Sequence, residues 1–175
     1  MFKRTLPLAV LLAATPAAAE VVNADAHGFE VRQSITLVVP PPRAFAAISQ
    51  VQNWWSKVHS FSGKSENLSL QMRPGGCFCE RLDEGGGVEF MHVVFLQPGE
   101  RVVLRGTLGP LLFEAGEGVL DLKVDRIAGG SKISLSYKAA GFDKGNGADL
   151  APLVDAVLGV QMKRLRAYAA GAPRR

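Results

Sequence analysis

The sequence DLAPLVDAVLGVQMKRLRAYAA, residues 149–170, has the periodicity of one long amphipathic helix. Its apolar residues recur every three or four positions and therefore share one helix face: Leu150, Leu153, Val154, Val157, Leu158, Leu165 and Tyr168. Asp149 is expected to cap this helix, Pro152 is tolerated in its first turn, and Gly171 follows its end. At 1.5 Å per residue the helix is about 33 Å long. Its apolar face needs a large apolar partner.

The rest of the chain predicts that partner, because most of it alternates between apolar and polar residues with a period of two. Seven segments have this strand pattern: 30–39, 68–72, 77–82, 88–96, 101–107, 116–127 and 131–140. Tight Gly-rich turns join the later segments, which favours antiparallel pairing. Two short helices, at 43–50 and around Trp54-Trp55, follow the first strand. The expected fold class is α+β, with a curved antiparallel sheet of about seven strands under one long C-terminal helix.

The composition is that of a single globular domain. The chain has 175 residues, of which 47% are hydrophobic and 21% charged, and this excludes a disordered chain. Residues 1–19 have the pattern of a cleaved secretory signal peptide, with Lys3 and Arg4 before a short apolar run and small residues before a cut after Ala19. A buried N-terminal helix is the alternative. The apolar run is shorter than the roughly 20 residues that span a bilayer.

Removal of this leader changes what the charge implies. The formal net charge of +4 falls to +2, with 18 basic and 16 acidic residues, so no nucleic-acid partner is expected. The remaining chain divides into an N-terminal extension at 20–29, one domain at 30–170 and a disordered tail at 171–175. The expected location is periplasmic or secreted, without stable membrane insertion.

The order of one strand, two short helices, six strands and a long helix resembles the START-like superfamily known as SRPBCC. The motifs that carry the resemblance are Trp54-Trp55, Pro74-Gly75-Gly76, Gln97-Pro98-Gly99-Glu100, Gly106-Thr107-Leu108-Gly109-Pro110-Leu111, and VDAVL at 154–158 with Gln161 and Arg164-Leu165. The resemblance covers about residues 30–170 and implies a helix-grip fold. Because its members include polyketide cyclases, aromatases, lipid-transfer proteins and chaperone-ATPase activator homologues, it implies no single activity.

Gln161 is a polar residue in the middle of the apolar helix stripe. A buried amide without partners costs about 1–3 kcal/mol. Two interpretations follow: a sheet carbonyl or a water satisfies the amide, or the amide points into a cavity between helix and sheet and orients a ligand.

Several further residues are candidates for the same cavity. His92 and Tyr137 alternate with apolar neighbours, which predicts that both point inward from their strands. An inward histidine is either a satisfied core group or a general base that acts near neutral pH. One of Trp54 and Trp55 is expected to pack on the core while the other rims the cavity, with His59 at its mouth.

Cys77 and Cys79 are two residues apart, so both project from one face of a strand, with Cα atoms about 6.6 Å apart. Three interpretations stay open: two free thiols in the cavity wall, which we favour, a strained redox pair, or a metal site completed by His92 or by Glu80. Glu80 is expected on the solvated face. If Phe78 and Leu82 mark the inner face instead, burial would suit Glu80 to proton transfer.

The leading hypothesis is an exported protein that holds a small apolar or aromatic molecule between the sheet and the C-terminal helix. Its expected ligand-binding residues are Trp54, Trp55, His59, Cys79, His92, Tyr137 and Gln161. No cofactor and no metal are assigned, since the sequence lacks Walker, Rossmann and zinc-protease motifs. The alternatives are a cyclase or dehydratase with His92 as general base, and a protein-interaction module.

Overall fold

The computed structural model describes residues 19–171. The predicted signal peptide therefore lies, apart from its last residue, outside the described residues, as does most of the predicted tail. The strands are β1 (Ala19–Ala24), β2 (Gly28–Leu37), β3 (Leu68–Leu70), β4 (Cys77–Arg81), β5 (Gly87–Gln97), β6 (Arg101–Gly106), β7 (Glu117–Ile127) and β8 (Gly130–Ala140). The α-helices are α1 (Pro41–Ser49), α2 (Val51–Trp54) and α3 (Gly147–Ala169). Short 3-10 helices occupy Lys57–His59, Ser65–Asn67, Asp83–Gly85 and Gly109–Phe113.

All eight strands form one antiparallel sheet in the order β1-β2-β8-β7-β6-β5-β4-β3. This confirms the predicted α+β class, with one strand more than the expected seven. The additional strand is β1, which pairs with β2 and lies in the segment expected as an N-terminal extension, apart from Ala19, the last residue of the predicted signal peptide. β2 also begins earlier than predicted, at Gly28.

Helix α3 crosses the sheet and covers its apolar face, as its periodicity predicts. It begins at Gly147, two residues before the predicted cap, and no side chain caps it. Asp149 lies instead in its first turn, where a carboxylate interacts favourably with the helix dipole. Gly171 follows the helix with φ +85°, a conformation that favours glycine and ends the helix as expected.

A polar contact also joins α3 to the sheet. The Gln33 side chain of β2, 3% exposed, donates from Nε2 to the backbone oxygen of Asp155 at 3.2 Å and to the Asp155 carboxylate. Buried polar groups need such partners, so this contact specifies how the helix lies on β2. Gln33 was not among the predicted helix–sheet contacts.

Strand β5 contains two β-bulges, and the first reverses the predicted faces of the strand. The pairing with β4 skips Phe90, and Phe90 and Met91 are both buried. His92 therefore points to the outer, exposed face, so its predicted inward orientation is wrong. An inserted residue shifts the alternation by one position, which a period of two cannot reveal. The bulges also increase the local twist, which helps the sheet to curve around α3.

Candidate functional site

Residues 56–62 form a strap that runs from α3 towards β4 and β5, and Gln161 holds its first part. Gln161 is 1% exposed. Its Oε1 accepts a hydrogen bond from the Ser56 N–H at 2.8 Å, and its Nε2 lies 2.7 Å from Nδ1 of His59. Because an amide nitrogen only donates, this ring nitrogen accepts and the histidine carries its proton on Nε2. The amide is thus satisfied, by the strap rather than by a sheet carbonyl or water.

Glu80 holds the other part of the strap from strand β4. Its side chain is 2% exposed and accepts hydrogen bonds from the backbone N–H groups of Phe61 at 3.0 Å and Ser62 at 2.6 Å. Phe78, 3% exposed, lies on the same inner face. The expectation that Glu80 is solvated is therefore wrong. A carboxylate that accepts two backbone N–H bonds makes a charge-assisted contact, which is stronger than a neutral one.

Both tryptophans are buried, so neither rims an opening. Trp54 is 5% and Trp55 7% exposed. The Trp54 indole N–H donates to the Ala47 carbonyl at 2.9 Å, and the Trp55 indole N–H donates to the His59 carbonyl at 2.9 Å. Trp55 thus provides a further attachment for the strap, and His59 lies in the strap between Trp55 and Gln161.

Three phenylalanines line the outer edge of the strap. The ring of Phe61 stacks on Phe90 with centroids 5.9 Å apart and meets Phe113 edge-on, also at 5.9 Å. Phe61 is 43% and Phe113 77% exposed. An exposed aromatic cluster of this kind is typical of an interaction site on a folded protein. The sequence signal for this unpredicted cluster is Phe61, an aromatic residue in a polar Ser- and Gly-rich loop.

Tyr137 lies on the buried face of β8, as its alternation predicts. The side chain is fully buried, and its hydroxyl has no hydrogen-bond partner among the described residues. The ring fits against Gly118, where a Cβ would lie 2.7 Å from the hydroxyl. Burial raises the pKa of Tyr137 to about 12. The nearby backbone of Leu108 opposes this rise, but it does not form a hydrogen bond with the hydroxyl. The phenol therefore stays protonated and remains a donor at neutral pH.

The unpartnered hydroxyl and the aromatic cluster lie at the same end of the sheet. Leu108, beside the hydroxyl, precedes the short helix that ends at Phe113. The Thr107 N–H donates to the Phe90 carbonyl at 2.8 Å, so this segment is held against the bulge of β5. Residues 107–113 and the strap therefore meet at this end of the sheet, through the Phe61–Phe113 contact.

Cys79 and His92 lie on the outer face of the sheet, away from this site. Cys77 and Cys79 form a disulfide with Cα atoms 5.4 Å apart, within the usual disulfide range and closer than in a straight strand. The favoured interpretation of two free thiols in the cavity wall is therefore wrong, and the paired alternative agrees with the structure. The inner face of β4 is taken by Phe78 and Glu80 instead.

The interior between α3 and the sheet is closed in this structure. Met91, Ile133, Tyr137 and Leu165 are each 0% exposed. A side chain that bordered a water-sized void would have accessible surface, so none of these four does. Three surface depressions in the described part lie elsewhere, two on the outer face of the sheet and one beside α2. A ligand that enters between α3 and the sheet must therefore displace the strap or core side chains.

Solved structures share this architecture at low sequence identity. A protein from Rhizobium leguminosarum is 18% identical with a TM-score of 0.59, and the match covers 89% of this chain and 98% of that one. CalU16 from Micromonospora echinospora is 10% identical with a TM-score of 0.61, covering 91% and 87%. Ara h 8.0201 is 16% identical with a TM-score of 0.57, covering 81% and 97%. These likenesses show the fold alone.

No protein-family model and no curated protein matches the sequence. Among residues 19–171, no helix combines the length and apolar character needed to cross a bilayer.

Proposed function

We propose that this chain, which has the START-like helix-grip fold of the SRPBCC superfamily, binds a small apolar or aromatic molecule between α3 and the sheet. The observation that carries the proposal is the buried Tyr137 hydroxyl without a partner. The ligand would carry a hydrogen-bond acceptor, such as a carbonyl or ether oxygen, for this hydroxyl.

The energetics favour such a ligand. A buried polar group without a partner costs about 1–3 kcal/mol, which an acceptor on a ligand would recover. The ring that carries the hydroxyl lies among aromatic side chains: Phe29 packs edge-on against the Tyr137 ring at 6.1 Å and stacks on Phe142 at 5.6 Å. Ligand sites of this type are mainly apolar with a few orienting polar groups.

The strap offers the route of entry. Its side-chain hydrogen bonds to the rest of the protein come from Gln161, Glu80 and Trp55, and the ring of Phe61, which stacks on Phe90, stays partly exposed. A few hydrogen bonds can open without loss of the large apolar core. The exposed rings of Phe61 and Phe113 would then contact an apolar ligand as it enters.

We further propose that the protein is exported after cleavage of residues 1–19. Two observations support this. The Cys77–Cys79 disulfide is suited to an oxidising compartment. Cleavage after Ala19 would also leave most of β1 intact, including the Glu20–Arg32 and Val21–Val31 pairs with β2.

The cyclase or dehydratase alternative loses the general base assigned to it. His92 is on the outer face, with its Nδ1 3.2 Å from Glu89 Oε1. His59 is nearer the site, but its Nδ1 is engaged by Gln161. No arrangement of the described residues around Tyr137 favours catalysis over binding.

Native mass spectrometry of the protein purified from its source organism tests the proposal. We expect a discrete excess mass that disappears on denaturation, and a chain that begins at Glu20. Extraction should yield an apolar or aromatic compound. Ligand binding would be contradicted if the protein carried no ligand as purified and still none after incubation with a lipid and aromatic extract of the same cells. An uncleaved N-terminus would contradict export.

A further inference from the structure

Four side chains able to bind metals lie together on the outer face of β4 and β5, on the opposite side of the sheet from α3. Cys77 is paired across the strands with His92, and Cys79 with Glu89. The two sulfur atoms and a Glu89 carboxylate oxygen lie within 4.8 Å of one another. That carboxylate is 3.2 Å from Nδ1 of His92. The imidazole of His92 therefore lies beside a group of three possible metal ligands formed by Cys77, Cys79 and Glu89.

The first bulge of β5 creates this arrangement. Glu89 and His92 are three residues apart, so in a regular strand they would point to opposite faces. The extra residue Phe90 brings both to the outer face. A bulge that re-aims a side chain is a recurrent feature of functional sites. The local bend of β4 brings the Cα atoms of Cys77 and Cys79 to 5.4 Å, which also draws their two sulfur atoms together on this face.

We infer that reduction of the Cys77–Cys79 disulfide converts this cluster into a site for one divalent metal ion of the zinc type, with Cys77, Cys79, Glu89 and His92 as ligands. Two thiolates, an imidazole and a carboxylate are a ligand set that suits tetrahedral Zn²⁺. In the disulfide the sulfurs are not thiolates, so the oxidised protein lacks two of the four ligands.

The chemistry balances with a dithiol as the reductant. A dithiol thiolate attacks one sulfur of the disulfide, which forms a mixed disulfide and releases the first protein thiol. The second dithiol sulfur then attacks the mixed disulfide, closes the reductant's own disulfide and releases the second protein thiol. The protein disulfide gains two electrons and two protons while the dithiol is oxidised. Metal binding then releases the two thiol protons as the metal–sulfur bonds form.

The side chains are accessible to both reactants. The His92 and Glu89 side chains are 47% and 59% exposed, and both cysteines are partly exposed. Neither reduction nor metal entry requires the strap to move, because the site is on the other face of the sheet. The inference therefore does not depend on the proposed function.

Cobalt titration tests whether the reduced protein has this metal site. The protein is reduced with dithiothreitol, freed of reductant without oxygen, and titrated with Co²⁺. We expect one equivalent to bind with sulfur-to-cobalt charge-transfer absorption and the intense visible bands of tetrahedral Co²⁺, and Zn²⁺ to displace it. The oxidised protein should show neither signal.

Matched variants assign the ligands. Glu89→Gln and His92→Gln should each weaken Co²⁺ binding by about tenfold or more, and Cys77→Ser with Cys79→Ser should abolish the charge-transfer band. Glu117→Gln and His27→Gln, which lie outside the cluster, should bind as the wild type does. Four outcomes would overturn the inference: free thiols in the protein as purified, no charge-transfer band after reduction, equal binding by the oxidised protein, or unchanged binding in the Glu89 or His92 variant.

Discussion

Replacement of Gln161 by leucine is expected to lower the free energy of unfolding by about 2 kcal/mol and to detach the first part of the strap from α3. Leucine fits an apolar position, but it cannot accept from the Ser56 N–H or donate to His59. Ser56 is only 8% exposed, so its N–H would remain buried without an acceptor. That penalty outweighs the gain from burying leucine in place of the amide.

Urea unfolding and hydrogen exchange measure the two parts of this prediction. The Ser56 amide should lose its protection in Gln161→Leu. Lys163→Leu, an exposed substitution two residues along α3, is the control and should change stability by less than about 0.5 kcal/mol. Equal or higher stability of Gln161→Leu with a protected Ser56 amide would contradict the role of Gln161 as the attachment of the strap.

Replacement of Glu80 by leucine is expected to have a larger effect, about 3 kcal/mol, because two backbone donors lose a charged acceptor together. The N–H groups of Phe61 and Ser62 both donate to this carboxylate, at 3.0 and 2.6 Å. We therefore expect the strap to leave the sheet, which exposes the ring of Phe90 that stacks on Phe61.

Limited trypsin digestion at Lys57 and Lys64, which flank the centre of the strap, reports this opening alongside urea unfolding. Cleavage should be faster in Glu80→Leu than in the wild type. Glu66→Leu removes an exposed carboxylate from a neighbouring 3-10 helix and should leave both measurements nearly unchanged. If the two variants behaved alike, Glu80 would not be what anchors the strap.

Much of the fold is predictable from local patterns. The apolar spacing at 149–170 predicted α3, and the period of two predicted the antiparallel sheet, because both depend on one face being buried. β1 was missed because Ala19–Ala24 spans the end of the predicted signal peptide and the start of the predicted extension. The Gly-rich turns placed the strand ends within a few residues of those observed.

The candidate site was less predictable, for two physical reasons. A bulge shifts the faces of a strand without a sequence mark, which sent His92 outward and left Phe90 and Met91 both inward. The partners of a buried polar group come from distant parts of the chain. Gln161 was correctly placed in the buried stripe, but its partners Ser56 and His59 could not be identified from the helix alone.

The disulfide was an open alternative for a similar reason. An ideal strand separates Cys77 and Cys79 by about 6.6 Å, whereas the local bend brings their Cα atoms to 5.4 Å. The face they occupy follows from Phe78 and Glu80 taking the inner one. A carboxylate on an inner face is rarely expected, and Glu80 is stable there because the strap supplies two donors.

The central claim is that the Tyr137 hydroxyl donates a hydrogen bond to a ligand between α3 and the sheet, and the most direct test compares two probes in two proteins. 2-Acetylnaphthalene carries a carbonyl acceptor, while 2-ethylnaphthalene has nearly the same shape without one. Tyr137→Phe removes only the unpartnered hydroxyl, so the variant should be at least as stable as the wild type.

Calorimetric titration should show that both probes bind the wild type. Tyr137→Phe should weaken the binding of 2-acetylnaphthalene about tenfold, or about 1.4 kcal/mol. 2-Ethylnaphthalene should bind equally well to both proteins. Equal affinity of 2-acetylnaphthalene for the two proteins, or binding of neither probe to the wild type, would contradict the account.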